Sequence, residues 1–218
     1  MNVVRSLERR LERLLDGFIG RAFSGRLHPS EIAGRLAREA DFARFDHRTG
    51  PATANAFTLT VNPSDLHDDR GDLEESLARE MMSYAAEQGL RLEGPTTVSI
   101  DIDDRMPPGQ MGCHVEIVPG PPTPWARLVS ENEAHSIGRN RVLIGRSPDA
   151  DLIIDHDDVS RDHAVIWREG GVVFIRDLGS SNGTFVEGMR IGSDPVTIEH
   201  GSSLGISEHG YRFLGPDA

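Results

Sequence analysis

The sequence predicts two domains of different class, a small α+β domain followed by an all-β sandwich. Three observations support this prediction. Apolar residues recur with helical spacing in parts of the first half, whereas short β-rich runs separated by turns fill the second half. A stretch with four prolines lies between the two halves. At 218 residues, the chain is long enough for two small domains.

The first half predicts elements in the order ααβαββ, which is typical of a small α+β domain over residues 1–118. Apolar positions with helical period predict helices over residues 2–20, 28–45 and 71–89. The third helix places four such side chains on one face: Leu73, Leu77, Met81 and Tyr84. Alternating apolar and polar residues predict strands over 55–62, 96–103 and 112–118.

Residues 119–125, "PGPPTPW", mark the predicted boundary between the domains. Prolines cannot extend a central sheet, and they favour a stiff, extended linker. Residues 126–218 then show eight short β-rich runs with no helical period: 126–129, 141–145, 151–155, 163–167, 171–177, 183–188, 203–207 and 211–215. Many short strands punctuated by turns predict an all-β sandwich, in which the functional residues lie in the loops.

Composition excludes several classes of function. A net charge of −12 argues against general binding to nucleic acids or anionic membranes. All 23 basic residues are Arg, so Schiff-base chemistry, a P-loop and a kinase-type ATP lysine are excluded. Cys113 is the only cysteine, so no disulfide framework or thiolate zinc cluster is expected. The start lacks the apolar core of a signal peptide, and no membrane span is apparent, which predicts a cytoplasmic protein.

Three predicted turns of the sandwich carry side chains suited to a phosphate. Arg146 lies in "IGRSPDAD", Ser160 and Arg161 lie in "DDVSRDH", and Ser181 and Asn182 lie in "DLGSSNGTF". If these turns share one end of the sandwich, guanidiniums, hydroxyls and a carboxamide converge there. Nearly all of these groups are donors, which suits the acceptor oxygens of a phosphate dianion.

These motifs resemble those of the forkhead-associated (FHA) domain. The residues that carry the resemblance are Gly145-Arg146, Ser160-x-x-His163 and Asn182-Gly183, with thirteen residues between Arg146 and Ser160. FHA domains are eleven-stranded sandwiches that read phosphothreonine peptides through Arg-containing sites. The resemblance implies that five residues contact the phosphopeptide: Arg146, Ser160, Arg161, Ser181 and Asn182. It implies a structural role for Gly145, His163 and Gly183.

Residues 1–118 resemble the N-terminal domain of actinobacterial FhaA-type proteins. The stretches that carry this resemblance are 10–41, 55–65 and 84–101. Together, the two resemblances imply an adaptor, and not an enzyme, that binds phosphothreonine-containing proteins in Ser/Thr kinase signalling. The expected partners include a Ser/Thr kinase or its substrates, and a link to cell-wall assembly is part of the same expectation.

Three alternatives remain open at this point. Ser160 and His163 could be a nucleophile and its base, although no nucleophile elbow or oxyanion hole is identifiable. Asp157, Asp158 and Asp162 could weaken the phosphate pocket and leave a phosphate-independent interaction scaffold. The run "DHDD" with His163 offers metal-ligand types, but acidic surface turns are far commoner. We therefore expect neither a metal nor a cofactor.

Overall fold

The structure is a computed structural model that describes residues 27, 29–66 and 70–215. These residues form two compact units. The described part of the first unit comprises 27, 29–45, 52–66, 70–85 and 92–120, and that of the second comprises 46–51, 86–91 and 121–215. The helix predicted over residues 2–20 lies outside the described residues.

The first unit is built from two helices and a three-stranded sheet. Helix α1 spans Pro29–Phe42 and α2 spans Arg70–Glu87. Strands β1 (Phe45–His47) and β2 (Gly50–Ala52) pair with each other, and residues 46–51 belong to the second unit. A 3-10 turn of the first unit lies at Pro63–Asp65. The three-stranded sheet has β3 (Ala56–Val61) at its centre, parallel to β4 (Thr97–Ile102) and antiparallel to β5 (Met111–Glu116).

The apolar faces predicted from the sequence form the core of this unit. In α2, the side chains of Leu73, Leu77, Met81 and Tyr84 are at most 2% exposed, as their helical spacing predicts. Strand β3 buries every second residue, which is the expected pattern of a strand with one covered face. The parallel pairing of β3 and β4 uses α2 as the crossover. Neither of the two described helices is long and apolar enough to cross a membrane.

The second unit contains a sandwich of two sheets. In its described residues the strands are β6 (Ala126–Val129), β7 (Ala134–Ile137), β8 (Val142–Gly145), β9 (Leu152–Ile153), β10 (Ala164–Glu169), β11 (Val172–Asp177), β12 (Thr184–Val186), β13 (Met189–Ile191), β14 (Val196–Ile198), β15 (Ser203–Ile206) and β16 (His209–Leu214). One sheet has the order β14-β11-β10-β8-β9 and the other β13-β12-β15-β16-β6-β7. The predicted fold class, an α+β domain followed by an all-β sandwich, is confirmed.

Residues from both sheets meet in one apolar cluster at the centre of the sandwich. Leu128 and Phe213 come from one sheet and Ile144 and Ile166 from the other, and none is measurably exposed. Trp125, the last residue of the predicted linker, packs against this cluster. Its indole Nε1–H donates to the carbonyl of Arg139 at 3.0 Å. This packed core is the rigid support on which the loops of the sandwich are mounted.

Candidate functional site

Three loops of the sandwich adjoin one another, and they carry all the predicted site residues except Gly145, which ends β8. Loop A (146–151) follows β8, loop B (154–163) precedes β10, and loop C (178–183) joins β11 to β12. The backbone N–H of Arg146 donates to the carbonyl of Ser160 at 3.0 Å. The backbone N–H of Ser181 donates to the hydroxyl of Ser160 at 3.1 Å. Ser160 therefore lies at the point where the three loops meet.

Two glycines allow the loops to approach this closely. A Cβ on Gly145 would lie 2.0 Å from the carbonyl oxygen of Arg161, so loop B passes directly over the end of β8. Gly183, at the end of loop C, has φ +93°, a conformation that residues with a side chain rarely adopt. The sequence assigned both glycines to the backbone of the motif, and the structure gives the steric reason at each position.

The buried side chain of His163 connects the backbone of loop B to that of loop C. Its side chain is completely buried, and Nδ1 accepts a hydrogen bond from the backbone N–H of Ser160 at 3.2 Å. Nε2 lies 3.1 Å from the carbonyl oxygen of Gly183, which requires that Nε2 carry the proton. Burial lowers the pKa of His163, so the ring is neutral at pH 7. The imidazole thus contacts the main chain of Ser160, and the Ser160 hydroxyl is bonded instead to Ser181.

Asn182 holds loop C against loop B. Its Nδ2 donates to the carbonyl oxygen of Asp158 at 2.7 Å, while the residue as a whole is exposed. Its Oδ1 accepts no hydrogen bond from another residue in the described part of the chain. The carboxamide is therefore fixed in orientation and still has an acceptor that can face a ligand.

Arg146 and Arg161 add positive charge to two of the three loops. Both side chains are exposed, on loops A and B respectively. Within residues 27, 29–66 and 70–215, neither guanidinium forms a hydrogen bond or an ion pair. The two guanidiniums are therefore donors without a protein acceptor in that part of the chain, and they lie on the two loops whose backbones meet at Ser160.

The acidic residues of loop B are not equivalent. The carboxylate of Asp158 accepts hydrogen bonds from the hydroxyl of Ser207 and from Nε2 of His209, which lies 3.0 Å away. These bonds hold the pKa of Asp158 far below its usual range. Asp157 and Asp162 are exposed. The charge of Asp158 is thus engaged by β16 and the turn before it.

Comparison with protein families shows the family to which the chain belongs. A family model described as the FhaA N-terminal domain matches residues 4–114, just over half of the 218 residues. The chain belongs to this FhaA family. A second family model, the FHA domain, matches residues 142–207 and so includes loops A, B and C. The resemblance inferred from the sequence is confirmed for both halves.

Individual relatives of this FhaA-family chain match its FHA region. The transcriptional regulatory protein EmbR of Mycobacterium tuberculosis is 44% identical over 70 residues, covering 32% of this chain and 18% of EmbR. The glycogen accumulation regulator GarA of Mycolicibacterium smegmatis is 40% identical over 73 residues, covering 33% of this chain and 45% of GarA. A solved structure of M. tuberculosis EmbR with a low-affinity phosphopeptide is 35% identical, with a TM-score of 0.39, covering 43% of this chain and 25% of that chain. The chain spans less than half the length of each relative.

Asp177 organises loop C of this FHA domain, and sequence reasoning missed it. The residue is 6% exposed, and its carboxylate accepts four hydrogen bonds. The donors are the backbone N–H groups of Gly179 and Ser180 and the hydroxyls of Ser180 and Thr184, at 2.5–2.8 Å. An Asp followed at once by turn residues and Ser/Thr, "DLGSSNGT", is the local signal that could have revealed this role.

Substitution of Asp177 should destabilise the FHA domain and alter its response to acid. Asp177→Ala leaves four donors without their acceptor, and we expect the free energy of unfolding to fall by about 2–3 kcal/mol. Burial alone raises the pKa of Asp177, but the donated hydrogen bonds outweigh it and lower the pKa overall. The carboxylate therefore stabilises the fold above the unfolded-state pKa of about 3.9, and this contribution is lost as the pH falls through the lower folded-state pKa.

Urea unfolding of the full chain between pH 3 and pH 7 checks this expectation. Asp177→Asn keeps the size of the side chain but does not titrate, so its stability deficit should shrink as the pH falls below about 4. A stability deficit that is constant across this pH range would show that the charge of Asp177 contributes nothing to the free energy of unfolding.

Proposed function

We propose that this chain is a phosphothreonine-dependent adaptor. Its FHA domain, residues 126–218, binds phosphorylated partner proteins in Ser/Thr kinase signalling. The observation that supports the proposal is that three loops meet at Ser160. These loops carry two guanidiniums without a partner among the described residues, together with the Ser160 hydroxyl and the Asn182 carboxamide. A phosphate dianion offers the acceptors that this set of donors lacks.

The predicted contact residues bind different parts of the phosphopeptide in this proposal. Arg146 and Arg161 bind phosphate oxygens through charge-assisted hydrogen bonds, and the hydroxyls of Ser160 and Ser181 donate to the same group. Asn182 bonds the backbone of the peptide through the part of its carboxamide that loop B does not use. Gly145, His163 and Gly183 shape the loops and do not touch the ligand.

The same geometry argues against an enzyme. A serine nucleophile needs a base within reach of its hydroxyl, whereas the Nδ1 of His163 accepts from the backbone N–H of Ser160. The other ring nitrogen faces the carbonyl of Gly183. The named relatives EmbR and GarA are regulators by their descriptions, which supports the reading of this FhaA-family chain as a non-catalytic adaptor.

The proposal extends to the organisation of the whole protein. Residues 1–118 form the FhaA-type N-terminal domain, 119–125 form a Pro-rich linker, and 126–218 form the phosphopeptide-binding domain. We infer that the protein acts in the cytoplasm and inserts into no membrane. Its partners are phosphothreonine-containing proteins, a Ser/Thr kinase or its substrates among them, and a link to cell-wall assembly follows from the FhaA-type N-terminal domain.

A second candidate function is a phosphate-independent interaction scaffold. The observation that favours it is the exposure of Asp157 and Asp162 on the loop that also carries Ser160. Two carboxylates beside the pocket oppose an anion unless the ligand carries basic residues there. The engagement of Asp158 by Ser207 and His209 weakens this alternative, because it withdraws one of the three acidic side chains.

A peptide-library screen with the full chain separates the two candidates. One library holds a fixed phosphothreonine among varied neighbours, and a matched library holds unphosphorylated threonine. The adaptor captures peptides from the first library only, with basic residues enriched where Asp157 and Asp162 can reach them. A scaffold captures equally from both libraries.

A further inference from the structure

Three side chains of types that bind metal ions lie close together, two on loop B and one on β16, outside the proposed phosphopeptide contacts. They are His156 and Asp158 of loop B and His209, the first residue of β16. Their ligand atoms all lie within 4.8 Å of one another. His156 is exposed and the other two are half-buried, so an ion has direct access from solvent.

The separations suit a shared ion. Ligands bound at about 2.0–2.2 Å in a tetrahedral zinc site lie roughly 3.3–3.5 Å apart. The Nε2 of His209 and the Oδ1 of Asp158 are 3.0 Å apart. The rings of His156 and His209 are stacked, with their centroids 3.9 Å apart and their planes inclined by 20°. Because the nitrogens of stacked rings point in nearly parallel planes, a shared ion requires His156, whose side chain is exposed, to rotate out of the stack.

Neighbouring hydrogen bonds fix the carboxylate of Asp158 and the backbone of His156. The hydroxyl of Ser207 donates to Oδ2 of Asp158 and leaves Oδ1 directed at His209. The backbone N–H of His156 donates to the carbonyl of Ile154, and its own carbonyl accepts from Val159. Outer hydrogen bonds of this kind orient the first ligands of metal sites.

The neighbouring cleft favours a cation. Its lining includes the carboxylates of Glu131, Glu133 and Glu208, next to His156 and His209. The hydroxyl of Tyr211 donates to Glu133, which lowers the pKa of that carboxyl and keeps it charged. The negative charge of these carboxylates attracts a divalent ion. The cleft is open on this side, which leaves room for water as the fourth ligand of the ion.

We propose that His156, Asp158 and His209 form a binding site for a zinc-like divalent transition-metal ion. Two imidazoles and one carboxylate suit zinc and its neighbours, whereas magnesium and calcium prefer oxygen ligands alone. This proposal revises the expectation from the sequence, which grouped "DHDD" with His163 and expected no metal. His163 is buried and bonded to the main chain, and the second histidine is His209, which lies 51 residues beyond Asp158 in sequence.

Binding would tie loop B to β16. On binding, the ion replaces the hydrogen bond between His209 and Asp158 with a bond to each of the two side chains. Because the carbonyl of Asp158 also accepts from Asn182, the ion braces the segment that leads into Ser160. The metal site does not depend on the proposed phosphopeptide function.

Calorimetric titration of the untagged full chain with zinc chloride tests the proposal. We expect one equivalent of zinc to bind per chain. The midpoint of thermal unfolding should rise by about 2 °C or more at saturating zinc and return when a chelator is added. Magnesium chloride should produce neither effect.

Variants locate the ion. His156→Ala removes an exposed side chain and should weaken zinc binding by at least about 10-fold, and His209→Ala should do the same. His114→Ala, which removes an exposed histidine of β5, should bind zinc like the wild type. Thermal unfolding without metal verifies that each variant is folded. Absence of zinc binding by the wild type, or unchanged binding by both His156→Ala and His209→Ala, would overturn the proposal.

Discussion

Arg146→Ala is expected to weaken the binding of a phosphothreonine peptide by at least about 100-fold. The guanidinium of Arg146 has no partner among the described residues, and it lies on loop A, whose backbone is bonded to Ser160. Two charge-assisted hydrogen bonds to a phosphate contribute about 1.5–3 kcal/mol each, and their loss corresponds to a change of this size. Because the side chain is exposed, the variant should unfold at the same denaturant concentration as the wild type.

Two further variants make the measurement specific. Arg146→Lys keeps the charge but loses the planar fork of donors, so its affinity should fall between those of the wild type and Arg146→Ala. Arg127→Ala removes an exposed arginine from β6 of the same domain and should leave affinity within about 2-fold of the wild type. If Arg127→Ala and Arg146→Ala weakened binding equally, overall charge would explain the effect, and Arg146 would have no specific role.

His163→Ala is expected to lower the free energy of unfolding by about 3–4 kcal/mol. The substitution removes a completely buried ring and leaves a cavity beneath loops B and C. It also leaves the N–H of Ser160 and the carbonyl of Gly183 without their present partner. Urea unfolding of the full chain, followed by tryptophan fluorescence, measures the change.

A histidine elsewhere on the sandwich provides the control. His200 is exposed in the turn before β15, and His200→Ala should cost less than about 1 kcal/mol. At low temperature, where His163→Ala remains folded, it should retain part of its affinity for phosphopeptide, since the imidazole does not touch the ligand in our account. A His163→Ala protein that unfolds like the wild type but binds no phosphopeptide would show that the ring acts in recognition.

The sequence predicted the fold where the strands carry strong patterns. The eight β-rich runs correspond to β6, β8, β9, β10, β11, β12, β15 and β16. The sequence missed five strands: β1 and β2, which form a separate two-stranded sheet, and β7, β13 and β14, which each lie at an edge of a sheet of the sandwich. Edge strands pair on one side only, and β7, β13 and β14 span three or four residues, most of them not fully buried. Too few positions remain for an alternating pattern to emerge.

The sequence motifs predicted which residues form the candidate site but not the contacts between its loops. The spacing of Arg146, Ser160 and Asn182 placed them in three loops, and the structure brings those loops together. The contacts between loops depend on the fold, as in the hydrogen bond from Asn182 to Asp158. The proximity of His209 to His156 is of the same kind, because one belongs to β16 and the other to loop B. A local sequence pattern cannot reveal that two side chains about fifty residues apart lie next to each other in the fold.

Paired titrations of the full chain with one peptide in two forms test the central claim most directly. The peptide is the strongest binder from the phosphothreonine library, and its matched form carries unphosphorylated threonine at the same position. Our account predicts binding of the phosphorylated form and no detectable heat from the other at the same concentrations. Equal affinity for the two forms would contradict the assignment of loops A, B and C as a phosphate-binding site.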